Sequence, residues 1–493
     1  MKIHRTILFL PVFALIFLSC RGEITAADSL NNPEKINPHL VSKEQAVENL
    51  KNFLSSIEGS SVKSSDYSKE RTIKDIKSIS LSALRTKSPT EFPDSIGSEE
   101  IVYIVNFENE DGYAILAADD RIGSDVIAVT DSGAISETDV FESLQQPSLP
   151  LNNGYDTLYF ELEDSIAVVE LPTTAVLNTY LETYGEFPVG VQMPHADNEV
   201  PKHLTTYLCV QYAVDEIADA PSGGSGNENV TTLVTYQRDS VIQTVKPILK
   251  DMSTWRQKAP FNSYCPKIWF GGGEHTPAGC VPLALAQIMT HFKYPSEVKY
   301  KKKMVNWDAL KTSWNKTDQG KESAGILLRR IGNACGSVYT RWGTFTFPSS
   351  AKHALSCKFN YKNVELKNYN NSDVLHSLNA DCPVFICSLP SRNWHDYDFA
   401  NSHGWVLDGY GTRKRTTTVT TFRDGVQQSE PEVRNDTLTM VHCNFGWGGD
   451  CNGYFVSGIF DLRSPDAQFD SIVNDNTNYN CYLKIITYDN PNN

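Results

Sequence analysis

The chain has 493 residues, of which 40% are hydrophobic and 21% charged, and a formal net charge of −15. That length allows two or three domains with sizeable cores, and the acidic balance excludes nucleic acid as the main partner, because phosphate binding needs a Lys/Arg surplus. Beyond the first 20 residues no apolar run is long enough to span a bilayer.

At the start, Lys2, His4 and Arg5 precede an almost wholly apolar run from Ile7 to Leu18, followed by Ser19 and Cys20. This pattern predicts a secretory signal over residues 1–20. A Cys directly after the apolar run fits a bacterial lipoprotein signal, in which Cys20 is acylated, although Phe17 and Leu18 depart from that pattern. A plain signal peptide ending near a Cys is the alternative. The expectation is an exported protein, either secreted or an outer-membrane lipoprotein, with membrane contact only through an anchor at Cys20.

A polar tether covers residues 21–41. Ser42 and Gln45 have the spacing of a capping box, and Ala46, Leu50, Phe53, Leu54 and Ile57 recur at helical spacing after it. The period then changes to two. Ile101–Val105 and Tyr113–Ala117 predict a hairpin, and Val126–Val129 a third strand. Residues 42–136 therefore read as an α+β unit. Residues 137–245 read as an extension and linker, with helices over Ala175–Tyr184 and His203–Ile217 and a Gly/Ser-rich loop over Ala220–Asn229, which is either a processing site or, equally, an uncut surface loop. From 246 to 493, helices over Val281–Phe292 and Ala324–Ile331 precede strands over Val406–Asp408, Leu438–Cys443, Tyr454–Val456 and Tyr482–Tyr488. Helices first and antiparallel strands second predict an α+β domain with a cleft between its halves.

Eleven Cys are present, and setting aside Cys20 and Cys280 leaves nine, so a pure disulfide framework cannot use them all. No pair of CxxC motifs occurs, so no structural zinc site is expected, nor any other metal or cofactor.

The chemistry concentrates at Cys280. Gly279 breaks the preceding loop, Pro282 is tolerated in a helix's first turn, and Pro295 ends the helix by Tyr294. Cys280 is thus predicted at the helix N-terminus, where unpaired N–H groups and the helix dipole favour a thiolate. The helix is apolar nearly all round, hence buried. From this stretch alone, a Cys capping a core helix is an equal reading. A base has to come from distant sequence, and His403 enters an apolar strand that ends at Gly409. The other His residues compete poorly: His275 lies in a Gly-rich loop, His291 at the far end of the nucleophile's helix, and His442 reads as a core residue. His353 and His376 have no chemical context, and His395 sits in polar surroundings. Asn444, at a strand end before Gly446, Trp447, Gly448 and Gly449, is the candidate that orients the imidazole. Trp447 would shield that bond from water. As a lone motif this stretch could be a turn in any β protein.

Taken together, these pieces resemble the streptopain family of bacterial cysteine peptidases. The motifs are Ala278-Gly279-Cys280-Val281 with Ala286-Gln287-Ile288-Met289 and Tyr294-Pro295 after it, His403 leading into Val406-Leu407-Asp408-Gly409, and Asn444 with Gly446-Trp447-Gly448-Gly449. Upstream, Trp255, Gln257, Pro260, Phe261 and Asn262 resemble the start of the family's catalytic domain, and Gly112–Arg121 a strand and turn of its propeptide. Phe445 stands where the family usually has Trp, and Gly404 where Ala is common. The resemblance implies a papain-like catalytic domain over 246–493, with a helical half and an antiparallel β half, preceded by a propeptide domain over 42–136 that blocks the site in an inactive zymogen. It further implies hydrolysis of protein or peptide substrates through a thioester on Cys280, with His403 and Asn444 in support, and no cofactor. By analogy Gln257 is a candidate side-chain donor to the oxyanion, with a structural role near the domain edge as its alternative, and Gly279 and Trp447 line the site. The alternatives are an amidase or acyltransferase acting on cell-wall peptides, and a catalytically dead surface-binding lipoprotein.

Overall fold

A computed structural model of the chain describes residues 39–58, 71–87, 100–144, 155–162, 165–172, 189, 200–220, 230–267, 275–339, 343–391, 402–423, 426–459 and 478–493. The signal segment, most of the tether, the helix expected at Ala175–Tyr184 and nearly all of the Gly/Ser-rich loop lie outside these residues.

The first helix, α1 (Lys43–Glu58), begins where the cap signal puts it: Ser42 Oγ accepts from the Gln45 N–H at 3.2 Å. The reciprocal half of the box is not made, since the Gln45 side chain donates to Asn49 at 3.0 Å instead. Ala46, Leu50, Phe53, Leu54 and Ile57 are all buried, as the periodicity requires. The strands β1 (Ile73–Ser80), β2 (Glu100–Phe107), β3 (Tyr113–Ala117) and β4 (Val126–Thr130) follow in a meander, with the predicted β2–β3 hairpin in register Val102 to Ala117. Then come α2 (Glu137–Leu144), the hairpin β5 (Tyr155–Leu162) and β6 (Ser165–Pro172), and α3 (Val200–Asp219). Cys209, Val210, Ala213, Val214 and Ile217 of α3 join the core formed by α1 and β2–β4.

A long strand, β7 (Val230–Val245), occupies sequence read above as linker. Its Thr, Val, Tyr and Ile residues suit a pleated surface, and it is held by β10 (His403–Arg423), with which it pairs from Val230 opposite Arg423 to Val245 opposite Tyr410. The later elements are α4 (Cys280–Phe292), α5 (Asp318–Ala334), β8 (Glu365–Asn368), β9 (Val384–Ser391), β10, β11 (Glu432–Asn444), β12 (Gly453–Val456) and β13 (Asn478–Thr487). The strands among these join one 12-stranded antiparallel sheet in the order β1-β2-β3-β4-β12-β11-β10-β9-β13-β8, with β7 and the two-residue strand Val426–Gln427 both on β10. The α+β expectation is met.

Side chains alternate across this sheet with period two. Val384, Ile386, Trp405 and Leu407 face the core shared with α1, α3 and β2–β4, whereas Phe385, Cys387 and Val406 face the core built on α4 and α5. The N-terminal meander is continuous with the later strands because β4 pairs with β12. That junction needs Gly453, since a Cβ there would lie 2.2 Å from the Val129 carbonyl oxygen. Buried charge crosses the same junction: the Arg413 guanidinium donates to the Asp125 carboxylate, with the two side chains 9% and 5% exposed. Removing one partner of such a pair leaves the other charge in a poorly hydrated place, at a cost of about 3–5 kcal/mol. Asp125→Ala should therefore lower the denaturant midpoint by an amount equivalent to about 3 kcal/mol, read by equilibrium unfolding. A loss well under 1 kcal/mol would show that water reaches Arg413.

Candidate active site

The loop before α4 delivers Cys280 to the helix tip. Gly279 takes φ +96°, which L side chains rarely adopt, and a Cβ on it would meet Thr344 at 3.0 Å and Pro282 at 3.1 Å. The loop is itself fastened: Asn262 donates to the carbonyls of His275 and Thr276, both at 3.2 Å, and the Ala278 N–H donates to the Gln257 carbonyl at 2.9 Å. The last bond places Gln257, 8% exposed, beside the stretch of chain that leads into Cys280. Pro282 falls in the first turn, where its missing N–H costs nothing, and the helix is buried along nearly its whole length.

α4 packs against the start of β10 at Gly404, where a Cβ would lie 3.2 Å from Val281 and from Phe385. The backbone N–H groups of Gly404, Val281 and Cys280 itself lie near enough to the sulfur to favour its thiolate. The sulfur is thereby set against the residue that follows His403. The imidazole is fixed by its own contacts. Nε2 lies 2.9 Å from the Phe445 carbonyl oxygen. A carbonyl can only accept, so Nε2 carries the proton and Nδ1 keeps its lone pair. Trp447 stacks on the ring at 4.4 Å and 27°, and Phe445 stacks on Trp447 at 4.8 Å and 8°.

Asn444 was expected to accept the imidazole's hydrogen bond, and the structure corrects that geometry. Its Oδ1 accepts instead from Gln287 Nε2 at 3.1 Å and from the Gly446 N–H at 3.3 Å. The oxygen that holds His403 belongs to the next residue's backbone, which carries no side-chain signature in a sequence. Trp447 stacks on the imidazole that the Phe445 carbonyl holds. Among the remaining histidines, His395 lies outside the described residues, and His291 makes a contact to Asp381 at 3.1 Å away from the sulfur.

Burial decides the protonation of the central pair. With 2% and 4% exposure, desolvation pushes the Cys280 thiol up to about 11 despite the backbone N–H groups that favour its thiolate. It likewise pulls His403 down to about 4, opposed by the bond to Phe445. At neutral pH both are uncharged, and no hydrogen bond joins them among the described residues.

His442, expected to be an ordinary core residue, is a buried charge. Its Nδ1 contacts Asp408 at 2.6 Å and its Nε2 contacts Asp131 at 3.0 Å. Burial alone would depress its pKa, but the two carboxylates outweigh that and hold it up to about 10. Asp131 carries the reciprocal effect: burial would raise its pKa, yet His442, then Arg71 and Lys250, hold it below the usual carboxylate value. Asp131 follows β4 and lies over 300 residues away from its partner, so no local signal in the sequence joins the two.

Two comparisons bear on these residues. Residues 255–455 match the peptidase C10 family, the streptopain family. The chain is also 24% identical over 264 residues to the thiol protease/hemagglutinin PrtT of Porphyromonas gingivalis, a match that covers 45% of this chain and 25% of that protein. The chain thus spans about a quarter of the length of that curated relative.

A neutral buried thiol makes a measurable statement. Alkylation of Cys280 by iodoacetamide in the intact chain should accelerate about tenfold per pH unit from pH 7 to 9, because only thiolate reacts and its fraction rises toward a pKa of about 11. A rate flat across that range would mean that a thiolate–imidazolium pair already exists.

Proposed function

With residues 255–455 a peptidase C10 family region, we propose that this chain is an exported cysteine endopeptidase, made as a zymogen, in which Cys280 is the nucleophile and His403 the base. The observation that carries the reading is the meeting of two elements: a buried helix tip that bears a thiol, and a strand that bears an imidazole whose Nε2 is fixed by the Phe445 carbonyl. His403 Nδ1 takes the thiol proton, and the sulfur attacks the peptide carbonyl carbon. The oxyanion that develops is received by the Cys280 N–H at the helix start, with Gln257 as side-chain donor, and each such donor contributes about 100–1,000-fold in rate. The imidazolium then protonates the leaving amine. Water, deprotonated by His403, hydrolyses the thioester. Trp447 keeps bulk water off the Phe445 bond, so the tautomer is held through the cycle. The catalytic region is read as papain-like, with α4 and α5 in one half and the β9–β11 strands in the other.

The zymogen reading is supported by how the N-terminal meander is fastened to the later strands. Backbone pairing of β4 with β12, the Arg413–Asp125 pair and the His442–Asp131 contact all act between the two regions. The neutral thiol and imidazole accord with a resting state. β7 is bound along β10, so the mature enzyme is read as retaining Val230–Val245. The signal and Cys20 anchor, which rest on the sequence pattern alone, complete the reading as an exported or lipid-anchored bacterial protein.

Cys280→Ala should abolish casein hydrolysis and any self-processing, and Cys280→Ala that keeps full activity would end the assignment. Full-length protein should be nearly inert, with activity appearing once the region before β7 is removed. Equal specific activity in both forms would refute inhibition by that region. Hydrolysis of peptidoglycan stem peptides with no action on casein would favour an amidase using the same two residues.

A further inference from the structure

Gln287 has no part in the chemistry described above, yet it is 1% exposed inside a helix lined with apolar side chains. A carboxamide enclosed in a core has its hydrogen bonds made, and where they go is informative. Nε2 donates to the Met252 carbonyl at 3.2 Å and to Asn444 Oδ1 at 3.1 Å, which uses both of its protons. Residue 287 follows residue 280 by roughly two helical turns, so Gln287 and Cys280 lie on the same side of α4.

Beyond Asn444 the contacts continue without a gap. Asn444 Oδ1 also accepts from the Gly446 N–H at 3.3 Å, a closure of the Asx-turn kind, and Gly446 takes φ +73°. The Phe445 peptide lies inside that turn. Its N–H donates to Asn452 Oδ1 at 2.9 Å, and Asn452 Nδ2 donates to the Ser253 carbonyl at 2.9 Å. Its carbonyl holds His403 at 2.9 Å. The direction of that carbonyl is set by the turn, and the side chain that closes the turn is clamped by Gln287.

We propose that Gln287 is a positioning residue of the peptidase: through Asn444 it fixes the turn whose Phe445 carbonyl orients His403, so that the helix carrying the nucleophile also aims the base. The inference rests on the reading of Cys280 and His403 as nucleophile and base. It differs from a role in core packing alone, because a packing residue would change stability without changing the turnover of folded enzyme.

The test uses the full chain carrying Gln287→Met, Gln287→Glu, Asn444→Ala or the Gln287→Met/Asn444→Ala pair, each activated with the same added protease as wild type, with Cys280→Ala beside them. Folding is followed by thermal unfolding and turnover on a peptide substrate. Gln287→Met should lower kcat about 10–100-fold, the usual effect of losing a residue that orients a catalytic group, with KM within about twofold. The double variant should be no slower than the slower single variant, since both act on one turn. Gln287→Glu is nearly isosteric. Its ionised carboxylate faces two carbonyl oxygens and cannot donate, whereas the protonated form regains one donor. Its kcat relative to wild type should therefore recover about tenfold between pH 8 and pH 5. A folded Gln287→Met with kcat within about twofold of wild type overturns the inference, as do losses that multiply in the double variant. Should Gln287→Met fail to fold, the Gln287→Glu ratio decides: recovery in acid supports the inference and a flat ratio overturns it. Activity in Cys280→Ala would instead remove the nucleophile assignment, and this inference with it.

Discussion

Desolvation at the tip of α4 is the constraint from which the rest of the site follows. A helix apolar on nearly every side has to be enclosed, and enclosing it takes Cys280 out of water along with the core residues that follow it. A thiol in that setting resists ionisation, so whatever favours its thiolate has to be supplied by oriented dipoles. The backbone N–H groups of Cys280, Val281 and Gly404 are such dipoles, and Gly404 stands close to the helix tip, where a Cβ on it would lie 3.2 Å from Val281. The same enclosure strips His403 of water and leaves it neutral, which suits a base waiting to accept a proton but not a pair already charged.

The sheet makes that enclosure a property of the whole chain. Successive residues of β9 and β10 face opposite cores, so the strand that brings His403 to the site is packed on one side by α4 and on the other by the N-terminal elements. Charge follows the same seam. His442 lies between Asp408, on the neighbouring strand, and Asp131, from the N-terminal meander. Its imidazolium is stabilised by both carboxylates, and that contribution is full below the ordinary histidine pKa and declines from there until it is lost as pH rises through about 10. The Asp131 side runs the other way: its pKa is depressed, so its contribution is present above the ordinary carboxylate pKa and lost as pH falls below it. The His442–Asp131 pair therefore keeps both of its charges across the neutral range.

Much of this was legible in the sequence where the signal was local. The Ser42 cap, the β2–β3 hairpin and the bounds of α4 between Gly279 and Pro295 each rest on residues a few positions apart, and each is found where its chemistry puts it. What escaped depended on distant partners or on the backbone. β7 reads as linker because its alternation is weak and its pairing partner lies beyond residue 409. His442 reads as core because its two carboxylates come from other parts of the fold, Asp408 from β10 and Asp131 from the residues after β4. Gln287 was visible as a polar letter in an apolar helix, a signal that some buried acceptor awaited it, but only the folded chain names Asn444 and Met252 as those acceptors.

Holding the imidazole by a backbone oxygen also explains a departure from the family pattern. A side-chain carboxamide can turn over and offer nitrogen in place of oxygen, whereas a peptide carbonyl cannot, so its direction is as reliable as the turn that contains it. The turn is secured at Asn444 by Gln287 and Gly446 and at the Phe445 N–H by Asn452, and none of these contacts involves the side chain of residue 445. That side chain is then free to be any flat ring that stacks. Phe445 lies parallel to Trp447 at 4.8 Å and packs on Trp405 at 5.5 Å, so its ring is held by aromatic neighbours on two sides.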